Sequence, residues 1–312
     1  MADYKVILNP VAGRGNGLKA LPEVERLLQV HRLDFKLEQT QQAGHAVELA
    51  RQAAVQGFPV VVAAGGDGTI NEVINGLMDA RRAGVAMPVL GVLCVGRGND
   101  FASGAGIPVP LADAARVLAA GQRHWIDIGR VTGGTVPEGR YFANCVGVGF
   151  DAIGTIEAAK LPRWGGFASF LVAVLKTIFL YNHAPLATIE FAGQKITQRS
   201  LMISMMNGRR IGGGGFIMAP NSKMDDGLLD LCIAEQMSSI AILRMLPHFM
   251  KGTQASQPSI KTGQAAKITI TAQDGPLPAQ ADGEIISTEG MSLLVELLPK
   301  QIEVIGLAPA AG

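Results

Sequence analysis

Short apolar runs alternate with segments of helical period through the first third of the chain. Tyr4–Leu8 and Asp34–Glu38 read as strands, as do the unbroken runs Val60–Ala64 and Val89–Cys94. The last two lack polar alternation, which predicts burial on both faces. Between and after them, Leu18–His31, residues 44–56, Glu72–Ala83 and Leu111–Ala119 carry helical patterns. Such alternation predicts an α/β domain with a parallel sheet. Beyond about residue 124 the pattern changes. Strand-like segments dominate at Trp125–Val131, Arg140–Val146, Ala187–Phe191, Leu201–Met206, Leu228–Ile233, Lys267–Thr271 and Leu293–Leu297. Helical stretches at 153–182 and 238–251 interrupt them. A second, β-rich and mostly antiparallel domain follows, giving boundaries of 1–124 and 125–298, with 299–312 expected to return to the first domain through Ile302–Leu307.

One apolar stretch, Trp164 to Tyr181, is long enough to raise the question of a membrane. A span needs about 20 apolar residues, and Lys176 near its middle costs about 2.5–3.5 kcal/mol on insertion scales. Phe167, Phe170, Leu171, Val174, Leu175 and Ile178 form a one-sided stripe, so the reading is a core or interfacial helix, not a span. Its flanks Lys160, Arg163 and Lys176 suit contact with an anionic membrane. The N-terminus lacks the charged start and apolar core of a signal peptide.

Composition narrows the class. Of 312 residues 48% are hydrophobic and 17% charged, which excludes disorder as the main state. A net charge of +1 without a basic run argues against a nucleic-acid binder. Cys94, Cys145 and Cys232 are scattered and read as reduced, buried thiols of a cytosolic protein, and the scattered histidines form no metal pair.

The 39 glycines exceed the usual ~7% of a globular chain, and three groups of them follow strands of the first third. Gly65-Gly66-Asp67-Gly68-Thr69 follows a buried strand and precedes a helix, so backbone N–H groups and a helix N-terminus are free to meet phosphate. Asp67 repels a bare phosphate and makes sense where Mg²⁺ bridges carboxylate to phosphate oxygens. Asn9-Pro10-Val11-Ala12-Gly13 and Gly96-Arg97-Gly98-Asn99-Asp100 have the same placement, and three such loops predict one ligand crevice at the carboxyl edge of the sheet. None fits the dinucleotide, P-loop or protein-kinase fingerprints.

The stretch Gly65 to Gly76 resembles the nucleotide loop of the diacylglycerol kinase catalytic-domain family, most nearly its bacterial lipid kinases. Sphingosine kinases, NAD kinases and 6-phosphofructokinases share the shorter G-G-D-G-[ST] core. Asn9-Pro10-x-Ala12-Gly13, Gly96-x-x-Asn99-Asp100, Asn144-x-x-Gly147-x-Gly149-Phe150-Asp151, Asp225-Asp226-Gly227 and Asp282-Gly283-Glu284 follow in the family's order. The resemblance implies an ATP-dependent lipid kinase using Mg²⁺, with the active site in a cleft between its two domains. It implies that Asn9, Pro10, Gly13, Thr40, Gly65, Gly66, Asp67, Gly68, Thr69, Ile70, Asn71, Arg97 and Asn99 hold ATP, and that Glu284, with Asp282 and Asp67, serves catalysis. Asp67 and Asp100 would join Asp226 around Mg²⁺, and a structural site for Mg²⁺ or Ca²⁺ would use Asp226 with main-chain oxygens of Lys223 and Leu228. It implies a cytoplasmic protein, peripherally associated with the membrane that holds its lipid substrate. One departure stands out: Cys94 and Arg97 replace the family's proline and threonine. Arg97 can pair with a phosphate, point to solvent or block the pocket. A catalytically weak sensor of the same fold, or a soluble-substrate kinase of the NAD-kinase type, are the competing readings.

Overall fold

A computed structural model describes residues 2–160, 166–181 and 184–307, with only the backbone of residues 166–170. Arg163, Trp164 and the tail beyond Leu307 lie outside the described residues, as do the side chains of Phe167 and Phe170. The chain forms two units, one reaching to Asp127 and resuming at Lys300, the other comprising Ile128–Pro299.

In the first unit the order is β1 (Tyr4–Leu8), α1 (Ala12–Val30), β2 (Phe35–Gln39), α2 (His45–Val55), β3 (Val60–Gly65), α3 (Asp67–Arg82), β4 (Val89–Cys94), a short α4 (Asp100–Gly104) and α5 (Leu111–Ala120). The strands pair in parallel in the order β2-β1-β3-β4, with Tyr4 opposite both Phe35 and Val60, and Val60 opposite Val89. β3 and β4 are buried at every residue, which is why their sequences carry no polar alternation. Val24, Leu27 and Leu28 of α1 and Leu118 of α5 pack on Val6, Leu8, Val62 and Leu93. The C-terminal end of the last strand returns here: Val304 pairs in parallel with Leu90, and the Lys300 N–H donates to the buried Asp127 carboxylate at 2.7 Å.

The second unit contains β6 (Val136–Phe142), β7 (Cys145–Gly149), α6 (Phe150–Lys160), α7 (Gly166–Leu180), β8 (Leu186–Phe191), β9 (Gln194–Met206), the small hairpin β10 (Arg210–Ile211) and β11 (Phe216–Ile217), β12 (Leu229–Glu235), α8 (Ser239–Lys251), β13 (Ile260–Ala265), β14 (Lys267–Ala272), β15 (Ala279–Ala281) and β16 (Glu284–Ser287). β5 (Arg123–Gly133) and β17 (Ser292–Ile305) are the segments through which the chain enters and leaves it. The thirteen-residue β9 pairs with β8 along its first half and with β7 and β12 along its second, all antiparallel. Ile203 and Met205 of its second half pack with Ile189, Leu231, Ile268 and Val295 in one core.

Several boundaries differ from the sequence pattern. The expected strand Arg140–Val146 is two strands, broken at Ala143 and Asn144, whose N–H groups turn to the carboxylate of Asp282. The expected helix 153–182 is two helices, α6 and α7. The stripe read on α7 is buried at Val174 and Ile178, but Leu175 faces outward. The strands expected at Leu293–Leu297 and Ile302–Leu307 are one long strand, β17, with Lys300 at positive φ where the chain passes between units.

Candidate functional site

The three glycine-rich loops of the first unit touch one another through their backbones. A Cβ on Gly96 would collide with the Cα of Gly66, so the second and third loops pack main chain to main chain. Gly13, at φ 57°, sits where a Cβ would lie 2.8 Å from the Val95 carbonyl, which brings the first loop to the third. Asn9 fixes the first loop to the second. Its Nδ2 donates to Thr69 Oγ1 at 2.9 Å, and its Oδ1 accepts the Val11 N–H at 3.1 Å. Thr40, Thr69, Ile70 and Asn71 are buried around this point, and the Thr40 N–H donates to the Leu8 carbonyl. Gly13, Arg14 and Gly15 are all left-handed, so the first residues of α1 form a tight turn and its regular helix begins only beyond Gly15, near the expected start at Leu18.

Asp67 opens α3, whose N-cap residue Gly66 offers no side chain to the helix end. Asp67 Oδ1 accepts the Phe101 N–H at 3.0 Å, while its Oδ2 lies over Gly98, with Asp100 Oδ2 on the same side of that residue. Two carboxylates therefore flank one glycine at a helix N-terminus. Asn99, at φ 55°, is buried with its Oδ1 lacking a hydrogen-bond partner. These hard oxygens and the unpartnered carbonyl suit a Mg²⁺–phosphate group. Arg97 is exposed and reaches back toward the Gly13 carbonyl at 3.5 Å, spanning the first and third loops. Cys94 is buried under this surface. Burial, and then the charge of Asp67, push its thiol up to about 12, so it is an inert packing group.

In the second unit, Asp282 accepts three backbone N–H bonds, from Ala143, Asn144 and Cys145, at 2.7, 2.9 and 2.9 Å. It stands at φ 46° before Gly283 in the turn joining β15 to β16. This carboxylate clamps the break between β6 and β7. Glu284, two residues on, begins β16 and forms an ion pair with Arg140 at 2.8 Å, its own side chain remaining 41% exposed. Asp226 lies in the loop between β11 and β12, its Oδ1 accepting the Leu228 N–H at 3.0 Å, with Lys223 three residues before it. Among the described residues no three Asp, Glu, His or Cys side chains gather as a metal-holding cluster, so a cation at either place would lean on main-chain, water or phosphate oxygens. Gly212 to Gly215 form the turn of the β10–β11 hairpin.

A small apolar cavity of about 60 Å³ lies within the second unit, lined by Phe150, Val174, Met202, Phe216, Met245 and Phe249 among others. Its one ionisable lining residue is Asp151, which accepts the Ser204 hydroxyl at 2.6 Å. Neither was singled out by the sequence pattern as pocket-forming. Burial outweighs the Ser204 bond and pushes the Asp151 carboxyl up from 3.8 to about 6. The folded chain thus keeps a proton that the unfolded chain releases between these values. Stability falls as pH rises through that window, and the whole penalty is present at pH 7. Asp151→Asn should therefore raise unfolding stability at pH 7 by about 1–3 kcal/mol, with the gain vanishing below about pH 4. Urea melts at both pH values check this, and an equal gain at both would contradict it.

The fold joins an α/β unit, with three glycine-rich loops at the ends of its parallel strands, to an antiparallel β unit, as in diacylglycerol-kinase-like proteins. Residues 3–131 match the diacylglycerol kinase catalytic domain, and residues 144–306 match the YegS C-terminal NAD kinase beta sandwich-like domain. The chain belongs to this family of diacylglycerol and YegS-like lipid kinases. It is 30% identical over 288 residues to a diacylglycerol kinase of Bacillus subtilis, covering 91% of this chain and 90% of the relative. It is 32% identical over 302 residues to the Escherichia fergusonii protein named Probable lipid kinase YegS, covering 96% and 95%. Among solved structures, a diacylglycerol kinase from Bacillus anthracis superposes with a TM-score of 0.74 at 22% identity, over 98% of this chain and 97% of that one. An ATP-bound NAD kinase from Archaeoglobus fulgidus shares the fold more distantly, with a TM-score of 0.51 at 13% identity over 97% and 93%.

Proposed function

We propose that this chain transfers the γ-phosphoryl group of ATP to the hydroxyl of a membrane lipid, with Mg²⁺. The observation that carries a lipid acceptor, in preference to the soluble acceptor of an NAD-kinase-like relative, is the cavity of the second unit, whose lining is apolar except for Asp151. Such a lining favours hydrocarbon, as at the end of an acyl chain, and offers little to a nucleotide or sugar. In this reading Asn9, Pro10, Gly13, Thr40 and Gly65 to Asn71 hold the nucleotide, and Arg97 pairs with a phosphate oxygen from the position that now faces Gly13. Asp67, Asp100 and Asn99 hold the Mg²⁺–phosphate group, and the ion, when bound, neutralises charge on the transferring phosphoryl. Glu284 takes the proton as the lipid oxygen bonds to phosphorus and the bond to ADP breaks, while Asp282 positions it by fixing the turn. Asp226 with the main-chain oxygens of Lys223 and Leu228 forms a structural site for Mg²⁺ or Ca²⁺. The enzyme works from the cytoplasm as a peripheral protein.

The test is γ-phosphate labelling from ATP with Mg²⁺ against micellar diacylglycerol, phosphatidylglycerol and a sphingoid base, with NAD alongside. A labelled lipid whose formation drops about 10²–10⁴-fold in Glu284→Gln supports the proposal. Labelling of NAD alone would transfer the chain to the soluble-substrate class. No labelling together with Mg-ATP binding restored only by Arg97→Thr would make it a sensor.

A further inference from the structure

The inner face of α7 is consumed by the core of the second unit, where Val174 and Ile178 are buried with Ile242 and Met245 of α8. Its outer face is apolar apart from Lys176 and is exposed among the described residues. Val172, Leu175, Phe179 and Leu180 are exposed along one side, Phe179 at 68%. The neighbouring α8 repeats the arrangement with Ile240, Leu243 and Met250, Ile240 at 63%. The Ser239 hydroxyl donates to the Ile178 carbonyl at 3.1 Å, which joins the start of α8 to the last turn of α7. The two stripes therefore meet near Phe179 and Ile240. A helix that is apolar all round and covered on one side only leaves the other to a partner or a lipid phase.

Charge decides which. Neither α7 nor α8 contains a single Asp or Glu, while Lys176, Arg244 and Lys251 are exposed along them. Arg244 and Lys251 form no ion pair among the described residues. The adjoining Glu157 is gripped by both Lys160 at 2.7 Å and Lys176, so that corner keeps a surplus of positive charge. Aromatic and aliphatic side chains rimmed by cations with long stems match the interface of an anionic bilayer, where the stems snorkel and the heads meet phosphate. A protein partner would be expected to meet at least some acidic groups on such a face. The inner surfaces of the same two helices line the apolar cavity through Val174, Ile242, Met245 and Phe249.

We infer that α7 and α8 form a platform that docks on an anionic lipid bilayer and brings the apolar cavity between and beneath them to the membrane surface. No helix among the described residues is long and apolar enough to cross a membrane, so the contact is interfacial. The purpose of this platform rests on the lipid-kinase proposal, but its test does not use turnover. The full chain is sedimented with vesicles of phosphatidylcholine and phosphatidylglycerol in equal parts, and with phosphatidylcholine alone. Wild type should sediment with the mixed vesicles and much less with the neutral ones. Phe179→Asp and Ile240→Asp should each weaken that binding about tenfold or more, and Arg244→Glu about fivefold or more with a reduced response to salt. Thermal melts identify any variant that fails to fold, and the two helices supply independent substitutions. Vesicle binding absent in wild type, or unchanged in both aspartate variants, overturns the inference. So does a wild-type dimer that Phe179→Asp converts to monomer without any vesicle binding, which would assign the face to a second copy of this chain. Vesicle binding with no lipid labelling would leave the platform standing and remove the kinase proposal.

Discussion

Asp67→Asn should lower turnover about 10²–10³-fold while leaving the fold in place. The substitution is nearly isosteric. An asparagine Oδ1 can still accept the Phe101 N–H that Asp67 Oδ1 accepts at 3.0 Å, so the start of α4 keeps its anchor. What is lost is negative charge on the oxygen that lies over Gly98 beside Asp100. In the proposed mechanism that charge holds Mg²⁺ against the phosphates, and phosphoryl transfer depends almost wholly on such positioning and neutralisation. The loss should thus be accompanied by a raised Mg²⁺ requirement, with lipid KM at saturating metal little changed. Steady-state rates across a Mg²⁺ series give the answer. A rate within threefold of wild type at every concentration would remove Asp67 from the reacting centre. A melt shifted by several degrees would instead show that Asp67 acts through the third loop.

What the chain's pattern disclosed, and what it hid, divides by sequence distance. The three glycine loops were readable because their requirement is local: a strand ends, a helix begins, and the absence of side chains at Gly13, Gly66 and Gly96 permits backbones to touch. The buried strands β3 and β4 were readable because burial on both faces removes polar residues from the run itself. The break between β6 and β7 was not, since apolar residues continue through Ala143, and its cause is a carboxylate 137 to 139 positions away at Asp282. Glu72 hides in the same way. Its carboxylate accepts the Gly44 and Ala46 N–H groups from across the fold and caps α2, which has no capping side chain of its own. The three-residue β15 and four-residue β16 are too short to carry a period. On α7 the stripe picked out Val174 and Ile178, which are buried, but apart from Lys176 the opposite face is apolar too, so periodicity placed the exposed Leu175 among them. Only packing separates Val174 from Leu175.

Asp282→Ala should cost the second unit about 3–5 kcal/mol, a large share of the usual stability of a domain. Three N–H groups at the broken strand would lose a charged acceptor at once, and Ala143, Asn144 and Cys145 are all buried, so water is poorly placed to replace it. Asp282→Asn offers the informative contrast. Oδ1 of Asp282 serves Asn144 and Cys145, whereas Oδ2 serves Ala143. An amide retains one oxygen for the first two but turns its NH₂ toward the Ala143 N–H, so about half of the loss should return. The sequence Ala, then Asn, then wild type should appear as rising urea midpoints with a constant slope. The same order should hold for turnover, because the clamp sets where β15 meets β7, at Gln280 opposite Gly147, and hence where Glu284 emerges beside Arg140. If Asp282→Ala kept the wild-type midpoint and lost only turnover, Asp282 would be a catalytic group in its own right. Full activity with a lowered midpoint would confine it to holding the strands.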